Sequence, residues 1–416
     1  MAKKFIIIGG GAAGYFAAIN AAELNSDLDV IILEGSNNVL QKVKVSGGGR
    51  CNITNACFTP KELVEFYPRG KKELLGPFHQ FMTGDTIEWF ENRGVSLKIE
   101  DDNRIFPESN SSQTIIDCFL ETAKNAGVKE QTSTRVDAIE KNEEKFVVKT
   151  ANENFIADYL LVASGSNAKV WNMISDLGHT IVQPVPSLFT FNIEDNRLAA
   201  IPGTSVPKAS VKVLNSKLEE QGSLLITHWG LSGSGILKLS AWGAFELFEK
   251  NYQFEIEVNW LSKKYEEVLD FLKSEKDKNS KKQIILHSIF EEISKRLWEK
   301  FVIAAQISET SQWAQLTNKQ LEDLAKQLTQ CIFKVNGKST FKDEFVTAGG
   351  VDLKEINFKR FESKLHKNLF FAGEVLNIDA ITGGFNFQNA WTGGWIVANS
   401  VSPLTPEGGI GIKVKN

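Results

Sequence analysis

Cysteine is scarce. The 416 residues hold four, Cys51, Cys57, Cys118 and Cys331, and no C-x-x-C pair. That excludes a disulfide scaffold and the usual zinc spacings, and it makes a reducing cytoplasm the expected location. Histidine is scarce too, at five. No sequence cluster of His, Asp or Cys points to a metal. No apolar run has the length of a membrane span. The N-terminal MAKKFIIIGGGAAGYFAAINAAE resembles a secretory leader only in passing, because glycines interrupt its apolar run after Phe5-Ile6-Ile7-Ile8. There is no excess of positive charge either. Lys and Arg number 47 against 51 Asp and Glu, a net charge of -4, and the pI is about 5.9. Strong attraction to nucleic acid or an anionic membrane is therefore not built into the whole chain. No internal repeat or low-complexity tract occurs. What remains is an ordinary globular balance, 42% hydrophobic and 24% charged. The length suits two or three domains, or one large domain with an insertion.

The clearest positive signal comes first. Phe5–Ile8 reads as a buried parallel strand, and Gly9-Gly10-Gly11-Ala12-Ala13-Gly14 then satisfies G-x-G-x-x-G. A small-residue helix, YFAAINAAEL, follows. A second apolar strand, Val30–Leu33, ends in Glu34, twenty residues beyond Gly14. Each part has a physical task in holding a dinucleotide. Gly9 makes the turn, Gly11 admits a pyrophosphate, and Gly14 lets helix and strand approach. The helix N-terminus faces phosphate, and Glu34 accepts from ribose hydroxyls. The motif leaves FAD and NAD open; the acid disfavours NADP.

Farther along, VLQKVKVSGGGRCNITNACF is rich in glycine and basic residues. GDTIEWFENRGVSLKIEDDNRIFPES reads as a helix leading into extended chain. SSQTIIDCFLETAKNAGV reads as a capped amphipathic helix stopping at Gly127. Residues 132–163 read as hairpin-like strands, the last of them buried and ending at Ala163-Ser164-Gly165. From about 190 the texture becomes short alternating segments, the mark of a small antiparallel barrel or sandwich. Residues 262–330 are helical and charge-dense, a solvated face with an RNA-binding face as the lesser alternative. After about 345 the glycine-rich, buried-strand texture returns. The expected fold class is α/β: a Rossmann-like parallel-sheet domain (1–190 and 345–416) interrupted by a barrel-like insert (191–261 and 331–344) and a helical insert (262–330).

The closing stretch NLFFAGEVLNIDAITGGFNFQNAWTGGWIVA again reads strand, glycine turn, acid, helix. A second nucleotide site and a plain tight turn before a packing helix are the alternatives to a closing half of the first site. The order of the three elements favours the closing half: fingerprint, then DYLLVASGS, then Gly373-Glu374.

KVSGGGRCNITN, DNRIFPES, ITHWGLSGSGILKLS, TAGGV and FAGEVLNIDAITGGFNFQNAWTGG together resemble the BaiN/YhiN-like flavoproteins, almost end to end. Two departures stand out: Ser234, where that family often has proline, and Ser164 in place of threonine. The resemblance implies a glutathione-reductase-type FAD domain, FAD bound non-covalently, an inserted barrel and a helical insert. It also implies NAD(P)H-linked oxidoreductase activity. For members of that family the proposed activities are reduction of a conjugated C=C in steroid-like substrates, oxidation of a small aminoketone, and dihydrouridine formation in ribosomal RNA.

The cofactor-binding set is therefore Gly9, Gly11, Ala12, Ala13, Gly14, Glu34, Gly35, Lys42, Ser46, Gly48, Gly49, Arg50, Cys51, Asn52, Ala163, Ser164, Gly165, Gly373, Glu374, Gly383, Gly384, Phe385, Asn386 and Gln388. Arg50 would neutralise a phosphate or reduced flavin, with a structural turn holding Arg50 in a salt bridge as the alternative, and Asn52 would hydrogen-bond the flavin or a substrate carbonyl. The catalytic candidates are His228 as proton donor, Asn52 and Cys51. Cys51 and Cys57 are separated by five residues, one more than the redox pairs of related flavoenzymes, so a packed free thiol competes with a redox role. An ordinary loop histidine competes with the proton donor at His228. No second G-x-G-x-x-G unit lies in 190–345, so NAD(P)H is expected to dock transiently. The expected partner is a small-molecule substrate, with RNA secondary and no membrane. A uridine reductase acting on ribosomal RNA and a non-catalytic flavin-holding sensor are the alternative functions.

Overall fold

The computed structural model describes residues 2–339 and 346–402. The ends of two expected segments, 340–345 and 403–416, lie outside the described residues. The chain divides into two compact units: Met1–Pro184 with Val346–Asn416, and Val185–Phe345.

The first unit is built on a seven-stranded sheet. Its order is Ile356–Asn357, Glu362–Ser363, Leu369–Phe371, Tyr159–Val162, Lys4–Ile8, Asp29–Leu33 and Lys129–Gln131. The last five strands are mutually parallel, with Ile6 opposite both Leu160 and Ile31, and Leu161 opposite Phe370. Phe5, Ile6, Ile7, Leu160, Leu161, Leu369, Phe370 and Phe371 are wholly buried. A parallel strand covered on both faces has no solvent side, so its sequence is apolar without alternation. The closing strand joins the sheet beside Tyr159–Val162, next but one to the first strand.

The opening helix Ala12–Leu24 packs against the closing helix Phe385–Val401. The contact is close because it is lined by small residues: a Cβ on Gly394 would lie 2.9 Å from Ala13 O and 3.1 Å from Ala17 N. The helix Ser112–Asn125 is capped by the Ser111 hydroxyl, which accepts from Gln113 N, and stops before Gly127 at φ +76°.

The second unit has a seven-stranded antiparallel sheet in the order Cys331–Asn336, Gln253–Asn259, Ser205–Val213, Glu219–Thr227, Gly230–Ser232, Thr190–Asn192 and Lys338–Ser339. The helices Tyr265–Lys278, Lys295–Ala304 and Asn318–Thr329 share one core with it, through Trp260, Val268, Leu297, Trp298, Phe301, Leu324 and Phe333. Strands and helices here are thus one packed body. Among the described residues, no helix is long and apolar enough to cross a membrane.

Candidate active site

Three glycines of the first loop differ in what surrounds them. A Cβ on Gly9 would stand 2.5 Å from Ala163 O, and one on Gly14 would stand 2.1 Å from Gly9 O. Those positions are closed by the protein itself. A Cβ on Gly11 meets nothing within 4 Å. Gly11 is also the N-cap of the opening helix, with no side-chain cap and no acid in the first turn. The helix therefore offers unspent N–H donors and the positive end of its dipole at this open side, the arrangement that holds a phosphate. Glu34 braces the loop: one carboxylate oxygen accepts from Gly10 N at 2.8 Å, the other from Ser36 N at 2.8 Å.

Ser46–Asn52 is not the simple loop its glycines suggest. The helix beginning at Gln41 breaks at Ser46, and Gly47, Gly48, Gly49 and Cys51 all take positive φ, from 57° to 82°. Side chains are strained there, which explains the three glycines. Cβ atoms on Gly48 and Gly49 would meet nothing within 4 Å. The next strand, Thr54–Asn55, docks on the closing turn. Asn55 Nδ2 donates to Gly383 O at 3.2 Å, and Trp391 Nε1 donates to Ile53 O at 2.8 Å. A Cβ on Gly384, φ +95°, would lie 2.5 Å from Thr54 O.

The remaining segments meet the same region. Lys42 pairs with one carboxylate oxygen of Glu374, whose other oxygen accepts from Thr347 N at 2.9 Å. A Cβ on Gly165 would lie 3.7 Å from that same carboxylate, and one on Gly373 would lie 3.2 Å from Ala13 Cβ. The glycine loop, the 42–52 segment, Ala163–Gly165 and the 373–386 segment thus converge within the first unit. Two buried polar atoms in this set have no partner, Asn52 Oδ1 and Ser164 Oγ. A buried acceptor without a donor costs about 1–3 kcal/mol. A flavin dinucleotide, rich in N–H and O–H groups, fits the open glycine cradle and these two atoms.

The chain matches, over residues 3–400, the model described as HI0933-like protein Rossmann domain. The chain belongs to that family. It is 27% identical over 413 residues to a 3-dehydro-bile acid delta(4,6)-reductase of Clostridium scindens, covering 95% of this chain and 98% of that one. It is 28% identical over 416 residues to a ribosomal RNA dihydrouridine synthase of Haemophilus influenzae, with the same coverage. The 3-ketosteroid-delta4-(5alpha)-dehydrogenase of Rhodococcus jostii RHA1 shares the fold, with a TM-score of 0.51 at 11% identity over 95% of this chain and 97% of that one. The fold is thus a Rossmann-type FAD-binding fold with added antiparallel sheets, and the chain is a flavin-dependent oxidoreductase of this family.

Within this family member, several candidate residues stand differently from their sequence reading. Gln388 is fully buried and points into the core, where its Oε1 accepts from Thr54 Oγ1 at 2.6 Å and Thr86 Oγ1 at 3.0 Å. It supports the site from behind and touches no open space. Phe385 is 3% exposed and stacks on Phe66 at 4.3 Å. Asn386 bonds Ala380 through both amide atoms and holds the turn before the helix. Arg50 is committed to Glu100 at 2.6 Å and lies 3.9 Å over the Phe106 ring. Cys51 is wholly buried and free, and burial pushes its thiol up to about 12, which disfavours the thiolate. Of the two readings of Cys51, this burial favours the packed free thiol. His228 lies in the second unit, exposed in the turn between Glu219–Thr227 and Gly230–Ser232. Sequence reasoning missed Glu100, Thr86 and the buried Arg69–Asp379 pair. Their partners lie about 50 to 310 residues away along the chain, and no local pattern marks them.

Proposed function

We propose that the chain binds FAD in the first unit and reduces an electron-poor C=C or related acceptor of a small molecule at the expense of NAD(P)H. The observation that carries this reading is the open side of Gly11 facing an uncapped helix N-terminus, with Glu34, Ser164 and Asn52 gathered in the same unit. Bound there, FAD supplies hydride chemistry at its N5.

The protein's part is positioning and electrostatics. Gly11, Ala12 and Ala13 present N–H groups to the pyrophosphate, and Glu34 accepts from ribose. Ser164 Oγ and Asn52 Oδ1 gain the partners they lack. Glu374 and Lys42 form an ion pair beside Gly165. The closing helix starts at Gly384 with no side-chain cap. Its dipole favours negative charge at that end, which suits a reduced, anionic ring. The helix is pinned there by Trp391 to Ile53 and by Gln388 to Thr54. The substrate class follows the bile acid reductase relative. The reading is tested by anaerobic reduction of the bound flavin with NADH and NADPH, followed by reoxidation with conjugated enones. Flavin that neither nucleotide reduces supports the sensor alternative instead.

Two relatives of 28% and 26% identity named ribosomal RNA dihydrouridine synthase favour a second reading, a uridine reductase on ribosomal RNA. A basic strip at Lys263, Lys264, Lys281 and Lys282 would support it; of these, Lys263 lies 3.9 Å from Glu292, and the net charge of -4 weighs against strong attraction to RNA. Mass spectrometry of ribosomal RNA from a deletion strain decides it. Unchanged dihydrouridine rejects the reading.

A further inference from the structure

His179 stands in the sequence without context, yet the structure sets it at the centre of a buried relay. Its ring is 2% exposed. Nδ1 lies 2.7 Å from Glu355 Oε2, and Nε2 lies 2.9 Å from Ser363 Oγ. Glu355 also accepts from Thr180 N at 3.1 and 3.3 Å. Ser363 Oγ accepts two backbone N–H groups, from Leu365 at 3.0 Å and His366 at 2.9 Å.

Counting protons fixes the ring. The two lone pairs of Ser363 Oγ are taken by the two amides, so its hydroxyl proton goes to His179 Nε2. Nε2 is then bare, and Nδ1 carries the proton given to Glu355. A Ser–His–acid row of this kind is also the layout of a hydrolytic triad. Here the serine is only 5% exposed and its acceptor capacity is spent, so it is not a nucleophile.

We propose that this relay is an acid-sensitive lock on the edge of the sheet that leads to Glu374. Charging His179 would put a proton on Nε2 facing an oxygen that already accepts two, and one of those bonds must break. The groups facing the ring are Glu355 and His366, whose ring centroid lies 5.9 Å away. Lys354, Asp352 and Lys364 lie on the same two turns, with Lys364 Nζ donating to Lys354 O. Burial lowers the His179 pKa and outweighs the opposing pull of Glu355. Mechanically, Ser363 ends the strand Glu362–Ser363, which pairs with Leu369–Phe371. The His179 ring also packs edge-on against Phe371 at 5.1 Å. That strand runs directly into Gly373-Glu374, so loosening it frees the segment assigned above to FAD. The link to FAD rests on that assignment; the lock itself does not.

Three measurements on the full chain test the lock. Nitrogen NMR of the histidines at about pH 7.5 is expected to show His179 neutral with Nδ1 protonated. A cationic ring, or the Nε2–H tautomer, overturns the proposal. Thermal unfolding of FAD-free protein is expected to lose stability below about pH 6.5, where the unfolded histidine takes up its proton first. His179→Gln is expected to flatten that loss, and Ser363→Ala to shrink it, because removing the conflict at Nε2 brings the folded-state pKa of His179 nearer its unfolded value. Unchanged profiles in both variants overturn the proposal, as does labelling of Ser363 by a fluorophosphonate. Should His179→Gln fail to fold, the tautomer and Ser363→Ala still decide. FAD release is expected to quicken on acidification by at most about tenfold per pH unit, the bound for one linked proton. A chain that takes up no FAD at neutral pH fails the functional reading and leaves the other two measurements intact.

Discussion

At the scale of single residues, Gly11 and Gly14 separate cofactor binding from folding. Gly11→Ala adds a methyl to open space at φ -94°. The unliganded chain should melt within about 0.5 kcal/mol of wild type, while FAD affinity, measured by fluorescence titration, should fall about tenfold or more. Gly14→Ala drives the same methyl into Gly9 O, and should cost about 2–4 kcal/mol of stability before any ligand is added. Cys51 gives a test of a different kind. With its thiol near 12, iodoacetamide at about pH 8 should leave it unmodified in native protein while alkylating the half-buried Cys57. Mass spectrometry reads the result, and early labelling of Cys51 would contradict the packing role. The spacing of glycines and the distance to Glu34 were legible residue by residue, because each answers to a local backbone demand. The partners of Gln388 and Arg50 were not: a helix turn decides that Gln388 faces Thr54 and Thr86, and a hairpin decides that the salt bridge open to Arg50 is made with Glu100.

At the scale of elements, the closing segment is held by pairs that cross most of the chain. Arg69 binds Asp379 through two N–H groups, and the Asp379 side chain is fully buried. Arg69→Ala removes two charge-assisted N–H bonds from a carboxylate in the core, and should cost about 3–5 kcal/mol in denaturant unfolding. Loss under about 1 kcal/mol would show that the pair does not hold the turn. The strands and helices themselves were readable from periodicity. Phe5–Ile8, Val30–Leu33 and Leu369–Phe371 are apolar throughout because both sheet faces are covered. Their order in the sheet was not readable in the same way. The closing strand lies beside Tyr159–Val162, and the helix after it packs on the opening helix where Gly394 meets Ala13 and Ala17; both are long-range contacts that leave no local pattern.

At the scale of the whole molecule, one chain builds a parallel-sheet unit from its two ends and a second unit from its middle. The texture change near 190 and its reversal near 345 reflect that division, since alternating strands and buried runs have different environments. The helical middle was expected to stand as an insert of its own, whereas Trp260, Trp298 and Phe333 join it to the antiparallel strands in one core. Long-range side-chain packing of that kind leaves no periodic trace. The central claim concerns the first unit: residues 9–14, 34, 42–52, 163–165 and 373–386 surround one FAD. Its most direct test is equilibrium binding of FAD to the purified full chain, followed by flavin absorbance in the visible, beside the Gly11→Ala protein. The account predicts one bound FAD per chain in wild type and weakened binding in a variant that melts normally. A colourless wild-type chain that gains no flavin band on adding FAD would contradict it.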